Sequence, residues 1–277
     1  MILVTGATGN VGSELVHALV ARGRPVRAMA RSPDAAAFPA GVEVASADLA
    51  APGSMAGALV GIHKVFLLGG FATTELLATV RDAGVEHVVL LTSRCVIGGN
   101  AENAITRMWL DGETAVQDSA VPWTILRPSG FHSNALRWIP QIERGNVVRA
   151  PWPDVAVASI DPADIAAVAA VVLAEPGHED TALALSGPEP LTPRQQVASL
   201  ARVIERPLSY LPLSDEEARA EMAVDTPAPF VDGFFRFFTD GEFDDSAVVD
   251  SVLEITGQSP RRFEDWARDH VSAFPRG

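Results

Sequence analysis

Three glycines spaced by three carry the clearest chemistry in the chain. Gly6-Ala7-Thr8-Gly9-Asn10-Val11-Gly12 follows a short apolar run, Ile2–Val4, and opens a stretch with helical spacing, Val11–Ala21. Glycines in such a turn let the backbone bend tightly, let a pyrophosphate come close, and let the helix pack on the strand. The phosphates then meet the positive end of the helix dipole. Gly6, Gly9 and Gly12, with Thr8, Asn10 and Val11 between them, are therefore candidate dinucleotide contacts. Cofactor choice is read at the end of the second strand, about 20 residues further on, where a carboxylate would hold the ribose of NAD. Here the chain reads Arg27-Ala28-Met29-Ala30-Arg31-Ser32, with no acid. Arg31 can grip a 2′-phosphate bidentately and Ser32 can add a hydroxyl, which points to NADP(H); the alternative is that Arg31 solvates a strand end. Asp48-Leu49 follows the third strand, where a carboxylate meets the adenine edge or caps the next helix. Gly69 and Gly70 after the fourth strand, and Pro128 closing the sixth, complete the candidate cofactor contacts.

Groups able to move a proton are few. Ser93, in Leu91-Thr92-Ser93-Arg94-Cys95, stands at the C-terminal mouth of the fifth strand, as a donor to a developing oxyanion or as a cap on the strand end. His132, just past Pro128-Ser129-Gly130-Phe131, has a suitable intrinsic pKa, or is a structural residue. Cys95 reads as a small buried hydrophobe, and Tyr210, between Leu208 and Leu213, as part of an apolar core. No histidine or carboxylate spacing suggests a metal site.

The elements that must position these groups alternate in period. Short apolar runs at Ile2–Val4, Val26–Ala30, Val42–Ala45, Val65–Leu68, Val88–Leu91 and Trp123–Leu126 read as buried parallel strands. Between them Val11–Ala21, Met55–Val60, Thr74–Asp82 and Asn103–Gln117 have helical spacing. This alternation predicts an α/β fold with a doubly wound parallel sheet. After Pro128 the rhythm loosens; strands are expected at Val155–Ser159 and Ala182–Leu185, and helices near Ile165–Leu173, Pro193–Ile204 and Arg262–Val271. Residues 1–128 are read as the dinucleotide-binding core, with segments 155–160 and 181–186 returning to it, and 129–277 as mainly a smaller substrate lobe.

The 277 residues are 48 % hydrophobic and 20 % charged, enough for a core and outside the range of disordered chains. With 21 Lys and Arg against 35 Asp and Glu the formal net charge is −14, which disfavours nucleic acid and anionic membrane surfaces as partners. No apolar run reaches the roughly 18 to 20 residues of a membrane span, and the short run after Met1 is no signal peptide. A single cysteine suits a cytoplasmic protein, and the wealth of Ala and Arg suits a GC-rich genome.

With these residues in place the chain resembles the NmrA-like group of atypical short-chain dehydrogenase/reductases over nearly its whole length. VTGATGNVGSELVHALVARGRPVRAMARSP resembles that group's opening, and VPWTILRPSGFHSN its sixth strand and following loop. ASIDPADIAAVAA, LSGPEPLTPRQQVASLARVIERPLSYLPLS and ITGQSPRRFEDWARDHVSAF resemble its C-terminal lobe. The resemblance implies a Rossmann core plus a small substrate lobe, with NADP(H) between them, acting as a monomer or homodimer. It implies either a reductase of quinones or ketones or a non-catalytic NADP-binding sensor that regulates a partner. The wider superfamily protonates its substrate with Tyr-x-x-x-Lys. This chain departs from that pattern: Tyr210 is followed four places later by Ser214, Lys64 is the only lysine, and alignment puts Ile105 and Trp109 at the two positions. Quinones or phenolic polyketides would ease the loss, because their oxyanions are delocalised or internally hydrogen-bonded. The reading is therefore an NADPH-dependent reductase of a bulky aromatic ketone or quinone, such as a ketoreductase of antibiotic biosynthesis. Phe131, Asn134, Trp138, Trp152, Phe230 and Phe234 are candidate substrate walls; the stretch Phe230–Phe238 is an apolar lid or a helix wedged between lobes. Asp161 reads as a helix cap before Pro162, and the charge runs Asp215–Glu217 and Asp240–Asp245 as solvated helix starts.

Overall fold

A computed structural model of the chain describes residues 1–32 and 38–275. In chain order its elements are β1 (Ile2–Val4), α1 (Asn10–Ala21), β2 (Val26–Ala30), β3 (Glu43–Ser46), α2 (Met55–Ala58), β4 (Lys64–Leu68), α3 (Thr74–Asp82), β5 (His87–Leu91), α4 (Ala104–Gln117) and β6 (Trp123–Pro128). There follow α5 (Ile139–Arg144), β7 (Val147–Ala150), α6 (Pro162–Ala174), β8 (Thr181–Leu185), α7 (Pro193–Val203), β9 (Ser209–Pro212), α8 (Asp215–Met222), α9 (Ala228–Phe238), α10 (Ser251–Thr256) and α11 (Phe263–Asp269).

Seven strands form one sheet in the order β3-β2-β1-β4-β5-β6-β8, and each pairing is parallel. The chain winds outward in one direction from β1 to β3 and in the other from β4 to β8. Between β1 and β4 the winding reverses, and the two connections leave opposite faces, so a crevice opens above the C-terminal ends of these strands. Apart from Lys64 and His87 at the starts of β4 and β5, residues of β1, β4 and β5 are apolar, and all but the two ends of β4 are buried because helices cover both faces. One face carries α1 and α6 around Leu15, Leu19, Ala166 and Val172; the other carries α2, α3 and α4 around Met55, Leu76, Val80 and Val116. A second layer joins α5, α7 and α11 around Ile142, Leu200, Phe263 and Trp266, bordered by the parallel pair β7–β9.

One expected strand is absent. Residues 155–159 form no ladder, because their backbone groups pair with three different segments. Val157 exchanges hydrogen bonds with Leu191, the Ala158 amide donates to the Asp245 carbonyl, and Ile160 donates to Gly130. Of the two segments expected to return to the core sheet, only β8 does so.

Candidate cofactor and substrate cleft

The glycine turn sits at the edge of the crevice. Gly6 has φ +59°, and a Cβ there would lie 2.7 Å from Leu68 Cδ1. A Cβ on Gly12 would lie 2.1 Å from the Gly6 carbonyl oxygen, so only glycine lets α1 settle on the turn. The Gly9 amide donates to the Gly6 carbonyl at 2.9 Å and closes the turn. Helix α1 has neither a capping side chain nor an acid in its first turn. Among the described residues, the amides of Asn10, Val11 and Gly12 find no acceptor at that end. Exposed N–H groups on a positive helix end, with a cradle that a Cβ would fill, fit a dinucleotide diphosphate. Val11 offers only its backbone, since its side chain is buried in the core.

Arg31 and Ser32 are exposed directly beyond β2, beside Ser46 of β3, whose hydroxyl lies 3.5 Å from the Arg31 carbonyl. Asp48 caps no helix: one carboxylate oxygen accepts the Ala50 amide at 3.0 Å in a local turn, and the residue stays exposed. Gly69 is buried where α4 crosses the end of β4, and a Cβ on it would lie 2.6 Å from the Leu91 carbonyl. Gly112 of α4 reciprocates, its own Cβ position being 2.6 Å from the Gly69 carbonyl. Gly70 beside it is exposed, and Pro128 ends β6 in register with Leu185.

Ser93 is half-buried at the mouth of β5, and its Oγ accepts the Cys95 amide at 3.3 Å. That contact uses one lone pair of the hydroxyl oxygen. Cys95 is inert, because burial pushes its thiol up to about 11. Beneath the mouth Thr92 donates to Glu113 Oε1 at 2.8 Å, and Arg127 clasps the same buried carboxylate through Nε and Nη2. Asn10 of the glycine turn donates from Nδ2 to Ser133 Oγ at 3.0 Å, which ties the turn to the loop after β6.

Two expected site residues lie elsewhere. His132 is 2 % exposed, with its ring edge-on to Phe263 at 5.4 Å, and burial lowers its pKa to about 4. Neutral and sealed in the lobe core, it is no proton donor to the cleft. Trp138 belongs to the same core and lines no cleft wall. Tyr210 donates its hydroxyl to the Ala150 carbonyl across β7–β9, and Asp161 caps α6 through the Ala163 amide. The Asp215–Glu217 run does open α8, capped by Ser214. The run Asp240–Asp245 opens no helix: it lies in an irregular strap, and Asp245 is buried.

The apolar wall is built by α9, which packs on α4. Phe230, Phe234, Phe237, Phe238 and Phe243 gather with Cys95, Ile105 and Trp109. Ile105 is thus embedded among phenylalanines, with Trp109 half-buried beside it. Phe131 is half-buried and Asn134 exposed after β6. Trp152, in a left-handed turn at φ +54°, packs edge-on to Phe235 and tilted against Phe238, and donates to Thr239. With Val157, Leu191 and Phe238 it lines an apolar groove of about 80 Å³, and Val157 also stands over Gly130 at the end of β6.

Sequence reasoning missed the buried pair Arg94–Asp245 and the Glu113–Arg127 clasp. Among the described residues no group of three or more His, Cys, Asp or Glu is placed to hold a metal ion, and no helix is long and apolar enough to cross a membrane.

Residues 6–176 match the family described as NAD(P)H-binding. The chain is 41 % identical over 280 residues to the (4-alkanoyl-5-oxo-2,5-dihydrofuran-3-yl)methyl phosphate reductase of Streptomyces griseus subsp. griseus, covering 99 % of each. It is 32 % identical to the NAD(P)H azoreductase of Xenophilus azovorans, again over 99 % of both chains. The crystal structure of the NADPH-dependent quinone oxidoreductase of Escherichia coli in complex with NADPH superposes with a TM-score of 0.79, at 25 % identity, over 97 % of this chain and 99 % of that one. The fold is shared too with the transcriptional regulator NmrA, at a TM-score of 0.76 and 18 % identity, over 98 % and 95 % of the two chains.

Proposed function

This chain belongs to the NAD(P)H-binding family and is an NADPH-dependent oxidoreductase; from that premise we propose that its acceptor is an electron-poor conjugated molecule whose reduced form spreads its charge over several atoms. One observation supports this: no acid stands at Ile105, buried among the phenylalanines of α9, or at Trp109, half-buried beside them, the positions that the family resemblance assigns to carbonyl protonation. An isolated ketone becomes a localised alkoxide, which needs a proton donor beside it in the transition state. A quinone becomes a delocalised phenolate, and a carbon–carbon double bond conjugated to two carbonyls becomes a delocalised enolate. Either takes its proton from water afterwards.

The compound in the Streptomyces relative's name has a ring double bond conjugated both to an alkanoyl ketone and to the lactone carbonyl. An acyl-substituted unsaturated lactone of this kind is the favoured substrate here, with quinones second. An aromatic polyketide ketone is placed behind both, since its alkoxide would depend on an internal hydrogen bond for its stabilisation.

Bound NADPH supplies the hydride. The chain's own residues position, exclude water and polarise. The Gly6–Gly12 turn and the first amides of α1 hold the diphosphate; Arg31 and Ser32 hold the 2′-phosphate, and Asp48 and Leu49 border the adenine. Gly69, Gly70 and Pro128 leave room for the nicotinamide at the strand ends. Ser93, whose oxygen already accepts the Cys95 amide, turns its hydroxyl hydrogen toward the acceptor's carbonyl oxygen. Phe131, Asn134, Trp152, Phe230 and Phe234 wall the acceptor, and the Trp152–Val157 groove takes its apolar substituent.

The test is a rate comparison. Loss of NADPH absorbance is followed with a 1,4-naphthoquinone, an acyl-substituted unsaturated lactone and an aryl ketone of similar size. The conjugated acceptors turn over at least ~100-fold faster than the ketone, the scale of a missing general acid. A ketone reduced as fast as the others overturns the proposal.

A further inference from the structure

Between α9 and α10 the chain runs for twelve residues, 239–250, without helix or strand. Within this strap one residue is fully buried, and it is a carboxylate, Asp245. The strap crosses the C-terminal ends of three adjacent strands. At β5, Arg94 donates from Nη1 to the Ala247 carbonyl at 2.7 Å and stands 3.6 Å from Asp245 Oδ1. At β6, the Gly130 amide donates to Asp245 Oδ2 at 2.9 Å. At β8, the Ser186 hydroxyl accepts the Val249 amide at 2.9 Å. The Asp245 carbonyl also accepts the Ala158 amide at 2.8 Å. These strand ends are where open parallel sheets bind ligands.

We infer that Asp245 is a positioning residue for the acceptor: its side chain pins the strap, and with it the phenylalanine helix α9, against Gly130 and Arg94, and so sets the distance between the apolar wall and the mouth of β5. It touches no reacting atom. Burying a carboxylate with one hydrogen bond and one loose ion pair disfavours its charge, and such a residue is kept where its geometry matters. Its Oδ1 makes no hydrogen bond among the described residues. Burial raises its pKa to about 6, against the lowering effects of the Gly130 amide and Arg94. Asp244 on the strap adds a like charge, and the Cys95 thiol beside Arg94 stays protonated. The loop after β6 and the 157–159 segment present to it only backbone N–H groups. Because the buried position raises its pKa, protonation below about pH 6 favours that position, and the pin holds into the acid range. The acceptor KM therefore depends on the pinned strap, while NADPH affinity, set at the far side of the crevice, does not.

Asp245→Asn keeps an acceptor for Gly130 and removes the charge. Two readouts apply. Hydrogen exchange at a fixed pH of ~7.5 reports the strap without reference to any substrate: in D245N the peptides spanning Gly130 and Ala158 exchange ~10-fold faster than in the wild type, the scale of a lost charge-assisted bond. Steady-state kinetics with a 1,4-naphthoquinone rests on the proposed reductase reading. At a pH of ~7.5 the quinone KM of D245N is ~10-fold above that of the wild type, with kcat and NADPH Kd unchanged. Unchanged exchange in D245N overturns the inference, as does an unchanged quinone KM, a loss confined to kcat, or an equal loss of NADPH affinity. A wild type that reduces no quinone defeats the acceptor reading instead, and the exchange result alone then decides the latch. Should Asn leave Arg94 uncompensated and the chain unfold, Arg94→Met combined with D245N removes both charges and carries the same two readouts.

Discussion

A single guanidinium separates two nearly identical dinucleotides in this account. Arg31 follows β2 with no acid in that strand, and the proposed role of its charge is to hold the 2′-phosphate of NADPH, a group that NADH lacks. Arg31→Ala should raise the Kd for NADPH roughly 10- to 100-fold and leave that for NADH within about twofold, as titrations of both cofactors would read out. An equal loss for both would remove the assignment. His132 belongs to stability. Its folded pKa of about 4 lies below its ordinary value of 6.5, so its contribution is whole above pH 6.5 and is lost as pH falls toward 4. Asp164 and Asp245, raised to about 6, act in the opposite sense and stabilise the fold as pH falls from 6 toward their ordinary range. His132→Phe isolates the first effect. Between pH 6.5 and 4 the variant should lose less stability than the wild type, by on the order of 3 kcal/mol, in Tm measured against pH. Its kcat should stay within about threefold.

The helix pair α4–α9 is the element on which the acceptor site depends, and one glycine fixes its spacing. A Cβ on Gly233 would fall 2.6 Å from Asn103 Oδ1 and 3.0 Å from Ile105 Cγ1. Asn103 cannot give way, because it is buried, caps α4 through the Ile105 amide and donates to the Gly233 carbonyl. Gly233→Ala should therefore push α9 outward. The acceptor KM should rise several-fold and stability should fall by about 1–3 kcal/mol, with NADPH Kd unchanged, in parallel kinetics, melts and titrations. The strands of the sheet were legible because burial on both faces writes them as continuous apolar runs, as Val88–Leu91 shows. The glycine turn was legible because its geometry admits no other residue at Gly12. Residues 155–159 misled because apolar residues in an irregular crossing have the composition of a strand; only the partners of Val157 and Ala158 distinguish them. Asp245 misled for the converse reason. A carboxylate in an acidic run reads as solvated, and its burial depends on Arg94, 151 positions earlier by the numbering of the chain.

At the scale of the whole molecule, topology sets the order of events. The switch point between β1 and β4 fixes where the cofactor enters, and the ends of β5, β6 and β8 fix where the strap and α9 can close over the acceptor. The central claim is that this arrangement delivers a hydride to a conjugated carbon without an acid. It is tested most directly with NADPH deuterated at the transferable position and an acyl-substituted unsaturated lactone in ordinary water, with the product read by mass spectrometry and NMR. One deuterium is expected on the ring carbon β to the two carbonyls and a solvent proton on the carbon between them. Deuterium on a carbinol carbon would contradict this by showing ketone reduction, and so would a sample that binds NADPH tightly yet neither labels this lactone nor oxidises NADPH with a quinone.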